Sequence, residues 1–273
     1  TKNDILCGKH RGVKSIAVAT GEYSIEELLK YEPDHVFEDF LDTQKVINTI
    51  LEWIMKFKAV LFDLDGTLLN TIDDLADSMN NVLKKLNYPT HSVESYKYFV
   101  GDGLEMLIKR ALPKDIDEET FIKAYQLMRE EYGNNWANKT KPYDGIPELL
   151  HNLRSMGIKR AILTNKPNDT AQKVVDKFLS DFEFDIIMGA RQNYPKKPEP
   201  DGAIEIAKAL KIEPEYFLYL GDTKIDMETA NRAGMFPIGV LWGFRKADEL
   251  INSGAKILIE HPIKLLDYLY NGN

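Results

Sequence analysis

Residues 58–69 read KAVLFDLDGTLL, and their reading decides the fold. The apolar run Ala59–Phe62 stops at Asp63, a second carboxylate follows at Asp65, and Gly66 closes the group. A short apolar run bounded by turn residues predicts a buried strand, and Asp-x-Asp-Gly predicts the turn that ends it. Next, Ile72, Leu75, Ala76, Met79, Val82, Leu83 and Leu86 recur at helical spacing. Helical text continues through DGLEMLIKRAL (102–112) and the face Phe121, Ala124, Tyr125, Met128 and Tyr132. No strand signal interrupts residues 71–138, and KTKPYDG (139–145) resets the pattern.

Beyond that break the alternation is regular. Helix 146–157 leads to a strand at 159–165, a helix face through Ala171, Val174, Val175 and Phe178 leads to a strand at 184–189, and helix 201–211 leads to a strand at 216–222. A short helix and a strand at 236–242 complete the set. This order predicts right-handed crossovers and an α/β fold: a doubly wound parallel sheet with an inserted all-helical cap.

Bulk properties narrow the function. The 273 residues are 44% hydrophobic and 29% charged, with a formal net charge of −8 and no block of Lys or Arg. A phosphate backbone requires a basic footprint, so no nucleic-acid partner is expected. Cys7 is the only cysteine, which rules out an intramolecular disulfide and fits a reducing cytoplasm. The apolar runs are too short for a membrane span, and nothing reads as a signal peptide.

Ligands of an open parallel sheet sit outside the carboxyl ends of its strands. Here those ends carry Asp63 and Asp65, then Thr164 and Asn165, then Asp222 with Asp226 just beyond. PKKPEPDG (195–202) adds Lys197 ahead of two stiffening prolines. Converging carboxylates must be protonated or bind a cation, and an all-oxygen set facing a phosphate favours Mg²⁺. Lys197, Thr164 and backbone N–H groups suit phosphate oxygens. One Asp can attack phosphorus to give an aspartyl-phosphate, while another protonates the leaving alcohol and then activates water. Singly, each motif has a plain explanation: a solvated turn, a strand-end hydroxyl, a surface lysine. A calcium loop starting at Asp63 would need glycine where Leu68 stands. Their joint order on the strand ends points to phosphoryl transfer.

DLDGTLL, LTN, KPEP and GDTKID, in this order, resemble the four signature motifs of the haloacid dehalogenase (HAD) superfamily, from about Met55 to about Tyr270. The resemblance implies a core of residues 55–70 and 141–273 with a helical cap of residues 71–140. It implies that Asp63 is the nucleophile and Asp65 the general acid/base. Thr164 and Asn165 would bind phosphate, with Lys197 rather than Lys196 as the motif lysine. The metal set would be Asp63, Asp65 (through its backbone carbonyl) and Asp222, with Asp226 the supporting acid. Family members that cleave carbon–halogen bonds lack an acid at the position of Asp65, so phosphate esters are expected. PYDGIPELLHNLRSMG and VGDGLEMLIKRAL resemble the phosphoglycolate phosphatase branch, implying 2-phosphoglycolate or a similar small-molecule phosphate ester. Lys109 and Arg110 in the cap either meet a substrate carboxylate or form an exposed helix face. A phosphosugar mutase and a non-catalytic module on the same scaffold are the alternatives. Oligomeric state is left open.

The start of the chain repeats its end. Thr1–Glu38 aligns without a gap on Thr223–Glu260 with ten identities, among them Asp4 with Asp226 and Gly12 with Gly234. Residues 1–54 are therefore expected to be the truncated tail of a second HAD unit, without counterparts of Asp63, Asp65, Thr164, Lys197 or Asp222. The tail is either a remnant of a tandem protein, as the absent initiator methionine favours, or an accessory that docks on the core.

Overall fold

The computed structural model describes residues 1–54 and 56–271; Met55, where the complete unit is expected to begin, lies outside them. The chain divides into two compact units, Thr1–Ile54 and Met55–Asn273.

The first unit runs α1 (Lys2–Arg11), β1 (Ile16–Val18), α2 (Ile25–Leu29), β2 (His35–Phe37) and α3 (Thr43–Ile54). Thr1 and Asp4 form a capping box at the start of α1, and Gly12 ends the helix in the left-handed region at φ 66°. A left-handed residue there satisfies the last carbonyls of the helix, and glycine adopts it without steric cost. Ser24 and Glu27 form a second capping box on α2. β1 and β2 pair in parallel, and Ile5, Ala17 and Leu28 form a small core.

The second unit opens with β3 (Ala59–Phe62), all four residues of which are fully buried. β4 (Leu69–Asn70) leads into α4 (Ile72–Lys85), α5 (Val93–Phe99), α6 (Leu104–Ala111) and α7 (Glu118–Asn135). β5 (Lys141–Pro142) pairs antiparallel with β4, tying together the two ends of this helical insert. Asp74 of α4 strengthens the tie, because its buried carboxylate accepts from the Lys139 and Thr140 amides and from the Thr140 hydroxyl at 2.7–3.0 Å. The insert has its own apolar core, built on Met79, Leu83, Tyr96, Ile108 and Met128.

The alternation then runs α8 (Ile146–Ser155), β6 (Lys159–Pro167), α9 (Asn168–Phe178), β7 (Ile186–Ala190), α10 (Asp201–Leu210), β8 (Phe217–Gly221), α11 (Lys224–Ala233), β9 (Phe236–Val240), α12 (Ala247–Asn252), β10 (Ile257–Ile259) and α13 (Leu265–Asn271). Six parallel strands lie in the order β10-β9-β8-β3-β6-β7. The doubly wound sheet is as expected. β3 sits at its centre, which is why its sequence is a continuous apolar run instead of an alternating one. β10 adds a sixth strand that the sequence reading of the core did not include. No helix among the described residues is long and apolar enough to cross a membrane.

The two ends of the chain fold alike. Ile16, Ala17 and Val18 pair with His35, Val36 and Phe37; Ile238, Gly239 and Val240 pair with Ile257, Leu258 and Ile259. Each residue of the first set stands 222 positions before its counterpart, so the register is the same in both units. Thr223 and Asp226 form the same capping box on α11, and Gly234 the same left-handed stop at φ 74°.

Candidate active site

The centre of the sheet delivers the first carboxylate. Asp63 follows β3, and its amide donates to the Leu220 carbonyl of β8 at 2.9 Å, fixing the strand end. The turn beyond is held by the Trp242 indole N–H, which donates to the Thr67 carbonyl at 2.9 Å. Asp222 and Asp226 enter from the end of β8 and the first turn of α11, both fully buried. Three glycines leave them room. A Cβ at Gly66 or Gly243 would overlap Asp222, and one at Gly221 would overlap Asp226.

One oxygen each from Asp63, Asp222 and Asp226 lies within 4.8 Å of the others. Asp222 accepts from the Thr67 hydroxyl at 3.2 Å and the Phe244 amide at 2.8 Å. Asp226 accepts from the Thr223 amide at 3.1 Å and hydroxyl at 2.7 Å. Lys197 joins the group, donating to Asp63 at 2.7 Å and to Asp226 at 2.6 Å. Burial pushes the Asp63 carboxyl up to about 7; Asp226 and Asp65 add to the rise, and Lys197 opposes it. Burial, then the charges of Asp63 and Asp226, hold Asp222 well above the usual carboxylate range. Burial alone would lower the Lys197 ammonium, but Asp226 and Asp63 outweigh it and hold it well above its ordinary value. Asp63 and Asp222 thus hold their protons more tightly than free carboxyls do.

Thr164 is buried at the end of β6, its hydroxyl accepting from the Lys166 amide at 3.2 Å. The Asn165 side chain is engaged with backbone groups. Its side-chain amide donates to the carbonyls of Lys197 (3.0 Å) and Gly101 (3.1 Å), and its oxygen accepts from the Lys197 amide at 3.0 Å. That pairing clamps the Lys197 backbone and links it to the helical insert.

The carboxylate of Asp65 stands outside the acidic triad. It accepts from the Lys166 ammonium at 2.9 and 3.0 Å, and the same ammonium donates to the Tyr132 hydroxyl of α7 at 3.0 Å. Burial works to lower Lys166, but Asp65 and Tyr132 raise it above its ordinary value. Neither Lys166 nor Tyr132 was picked out as a site residue from the sequence. Only their neighbours signalled them: Lys166 follows the Thr164-Asn165 pair, and Tyr132 ends the apolar face of α7.

A cavity of about 580 Å³ opens over these groups. Asp63, Asp65, Thr164 and Lys166 line it from the core, and Leu107, Tyr125, Arg129, Tyr132 and Trp136 from the insert. Of the two readings open for Lys109 and Arg110, the geometry favours the helix face that does not meet substrate, because neither lines the cavity. Lys109 sits half exposed beside Glu105 and over the Phe121 ring, and Arg110 pairs with Asp102 and donates to the Phe99 carbonyl at 3.0 Å. The phase of α6 turns Leu104 and Leu107 to the cavity and these cations away from it.

The acidic triad fits a hard divalent cation: its donors are all carboxylate oxygens, and the three glycines keep its cradle open. A carboxylate-bearing strand end at the centre of a parallel sheet, with a helical insert roofing it, defines a class. Residues 60–240 match the family of haloacid dehalogenase-like hydrolases, and the chain belongs to it. Residues 1–43 separately match the family described as HAD-hydrolase-like.

Curated relatives are similar over the second unit. The phosphoglycolate phosphatase of Aquifex aeolicus is 32% identical over 210 residues, covering 77% of this chain and 97% of that one. The phosphoglycolate phosphatase of Haemophilus influenzae is 32% identical over 221 residues, covering 78% and 99%. Among solved structures, a haloacid dehalogenase-like family protein of Streptococcus pneumoniae superposes with a TM-score of 0.71 at 25% identity, covering 78% of this chain and 98% of that one.

Proposed function

We propose that the chain is a phosphatase that hydrolyses a small phosphate monoester, 2-phosphoglycolate foremost, through an aspartyl-phosphate on Asp63. The observation that carries this reading is the placement of Asp63 and Asp65 on one cavity wall, the first held by Lys197 and the second by Lys166. The phosphoglycolate phosphatase relatives support the substrate.

In this reading Asp63 attacks phosphorus as Asp65 passes a proton to the leaving alcohol oxygen. Asp65 then takes a proton from water, whose oxygen attacks the acyl-phosphate, releasing inorganic phosphate and restoring the Asp63 carboxylate. Lys197 and the Thr164 hydroxyl hold phosphoryl oxygens, and Asn165 keeps Lys197 in place. Mg²⁺, held by Asp63, Asp222 and the Asp65 carbonyl, would neutralise phosphoryl charge that otherwise repels the nucleophile. Asp226 holds Lys197 by a 2.6 Å ion pair. The helices of residues 71–140 act as a cap that covers the alcohol half of the substrate while still admitting the hydrolytic water. The assignment to the cytoplasm goes with a small soluble metabolite as substrate.

Residues 1–54 we assign as the C-terminal segment of a second HAD unit. The shared strand register, capping box and left-handed stop support that origin, as does the family match over residues 1–43.

Phosphate release from a panel of small esters, with and without Mg²⁺, tests the main reading. Turnover that needs both Mg²⁺ and Asp63 supports it. Failure on every ester overturns it.

A further inference from the structure

Lys166 is a buried cation to which the hydrolysis steps above give no part beyond holding Asp65. Its side chain is 4% exposed, it lines the cavity, and it bridges Asp65 of the core to Tyr132 of the insert. We propose that Lys166, with Tyr132, reads a carboxylate on the alcohol half of the substrate, selecting esters in which that carboxylate stands one carbon from the ester oxygen. This rests on the phosphatase reading, which puts the leaving oxygen against Asp65.

The spacing carries the argument. A leaving oxygen hydrogen-bonded to Asp65 stands about 2.7 Å from that carboxylate. The Lys166 ammonium contacts the same carboxylate at 2.9 and 3.0 Å. A group that reaches Lys166 from the leaving oxygen therefore spans no more than a few bonds. A carboxylate on the adjacent carbon holds its oxygens roughly 3 Å from the ester oxygen, which meets that limit. A longer acid would have to fold back.

Donor supply agrees with this. A lysine has three N–H donors, and Asp65 takes two of them through its two oxygens. The third goes to the Tyr132 oxygen, so the Tyr132 proton is free to donate. An arriving carboxylate can accept from that hydroxyl and from one N–H released by Asp65. Because Tyr132 belongs to α7 and Lys166 to β6, a carboxylate held by both also joins the insert to the core.

The test compares kcat/KM of the full-length protein in Mg²⁺ for 2-phosphoglycolate, the phosphate ester of 3-hydroxypropionate and 2-hydroxyethyl phosphate. A hydrogen bond to a charged group predicts that 2-phosphoglycolate exceeds the neutral ester by ~10–100-fold, with the longer acid between them. Lys166→Met also strips Asp65 of its partner and lowers turnover of all three esters, so the readout is the acid-to-neutral ratio: it should lose most of that preference, and Lys166→Arg should restore part of it. Tyr132→Phe should lower the preference by ~3–10-fold. Equal turnover of acid and neutral esters by the unaltered protein overturns the inference but leaves the phosphatase reading standing. An equal fall for all three esters in Lys166→Met also overturns it, showing Lys166 only to position Asp65. No turnover of any ester overturns both readings.

Discussion

Asp63→Asn should abolish turnover and, without divalent cations, make the protein more stable above pH 7. Burial is the main cause of the rise of the Asp63 carboxyl from 3.8 to about 7. That is about 3 units, and at about 1.4 kcal/mol per unit the upper bound is about 4 kcal/mol. The sign follows from proton counting. Between pH 4 and 7 the unfolded chain has released this proton while the folded protein retains it, so wild-type stability falls as pH rises through that window. Asparagine resembles the protonated acid, so the two proteins should match near pH 4 and separate up to pH 7. Lys197 keeps Asp226 as a partner, so the change leaves no orphaned cation. Allowing half the bound for relaxation gives about 2 kcal/mol, or roughly 4–8 °C in Tm for a domain of this size. Thermal unfolding in EDTA at pH 5 and pH 8 measures it. A variant no more stable than the wild type at pH 8, or a gap that does not widen from pH 5, would refute the reasoning.

Lys197→Met removes the cation seated between Asp63 and Asp226; it should cost about 3–5 kcal/mol in metal-free unfolding and at least ~100-fold in kcat. Gly243→Ala drives a Cβ into Asp222, so Mg²⁺ affinity measured by calorimetry should fall ~10–100-fold. Asn165→Ala frees the Lys197 backbone, and kcat should fall ~10–100-fold while the Mg²⁺ affinity stays within about 3-fold. A protein lacking residues 1–54 should keep kcat/KM for its best ester within about 2-fold, since the first unit has no counterpart of Asp63, Asp65 or Asp222; loss of turnover on that deletion would show the segment to be part of the enzyme.

The strand ends were legible because parallel-sheet chemistry marks them with carboxylates, a hydroxyl and a lysine against apolar runs. Asp63, Asp222 and Asp226 meet because β3 and β8 are neighbours, an adjacency that the strand order and motif order imply together. Lys166 escaped because its partners, Asp65 and Tyr132, lie 101 and 34 residues away, and no local pattern marks a lysine that points inward. The Asn165 clamp is not legible locally, because it depends on the distant loop carrying Lys197. Lys109 and Arg110 stay undecided in the sequence because a charged pair on a helix states its type and not its direction. β10 is three residues long, too short for alternation to show.

The shared register at the two ends of the chain has a kinetic consequence. Ile16 reaches His35, and Ile238 reaches Ile257, each across 19 residues. β3 by contrast must find Lys159 across 100 residues and Phe217 across 158. Closing the longest of these loops costs about 2 kcal/mol more than closing the shortest. In the first unit the short-range pair forms with no third strand beside it among the described residues. The matching segment at the far end should therefore zip early and wait for β8, making the last part of the hydrolase to be written among the first to take shape. Pulse-labelled hydrogen exchange during refolding would then protect β9 and β10 amides before those of β3, and the reverse order would end the idea.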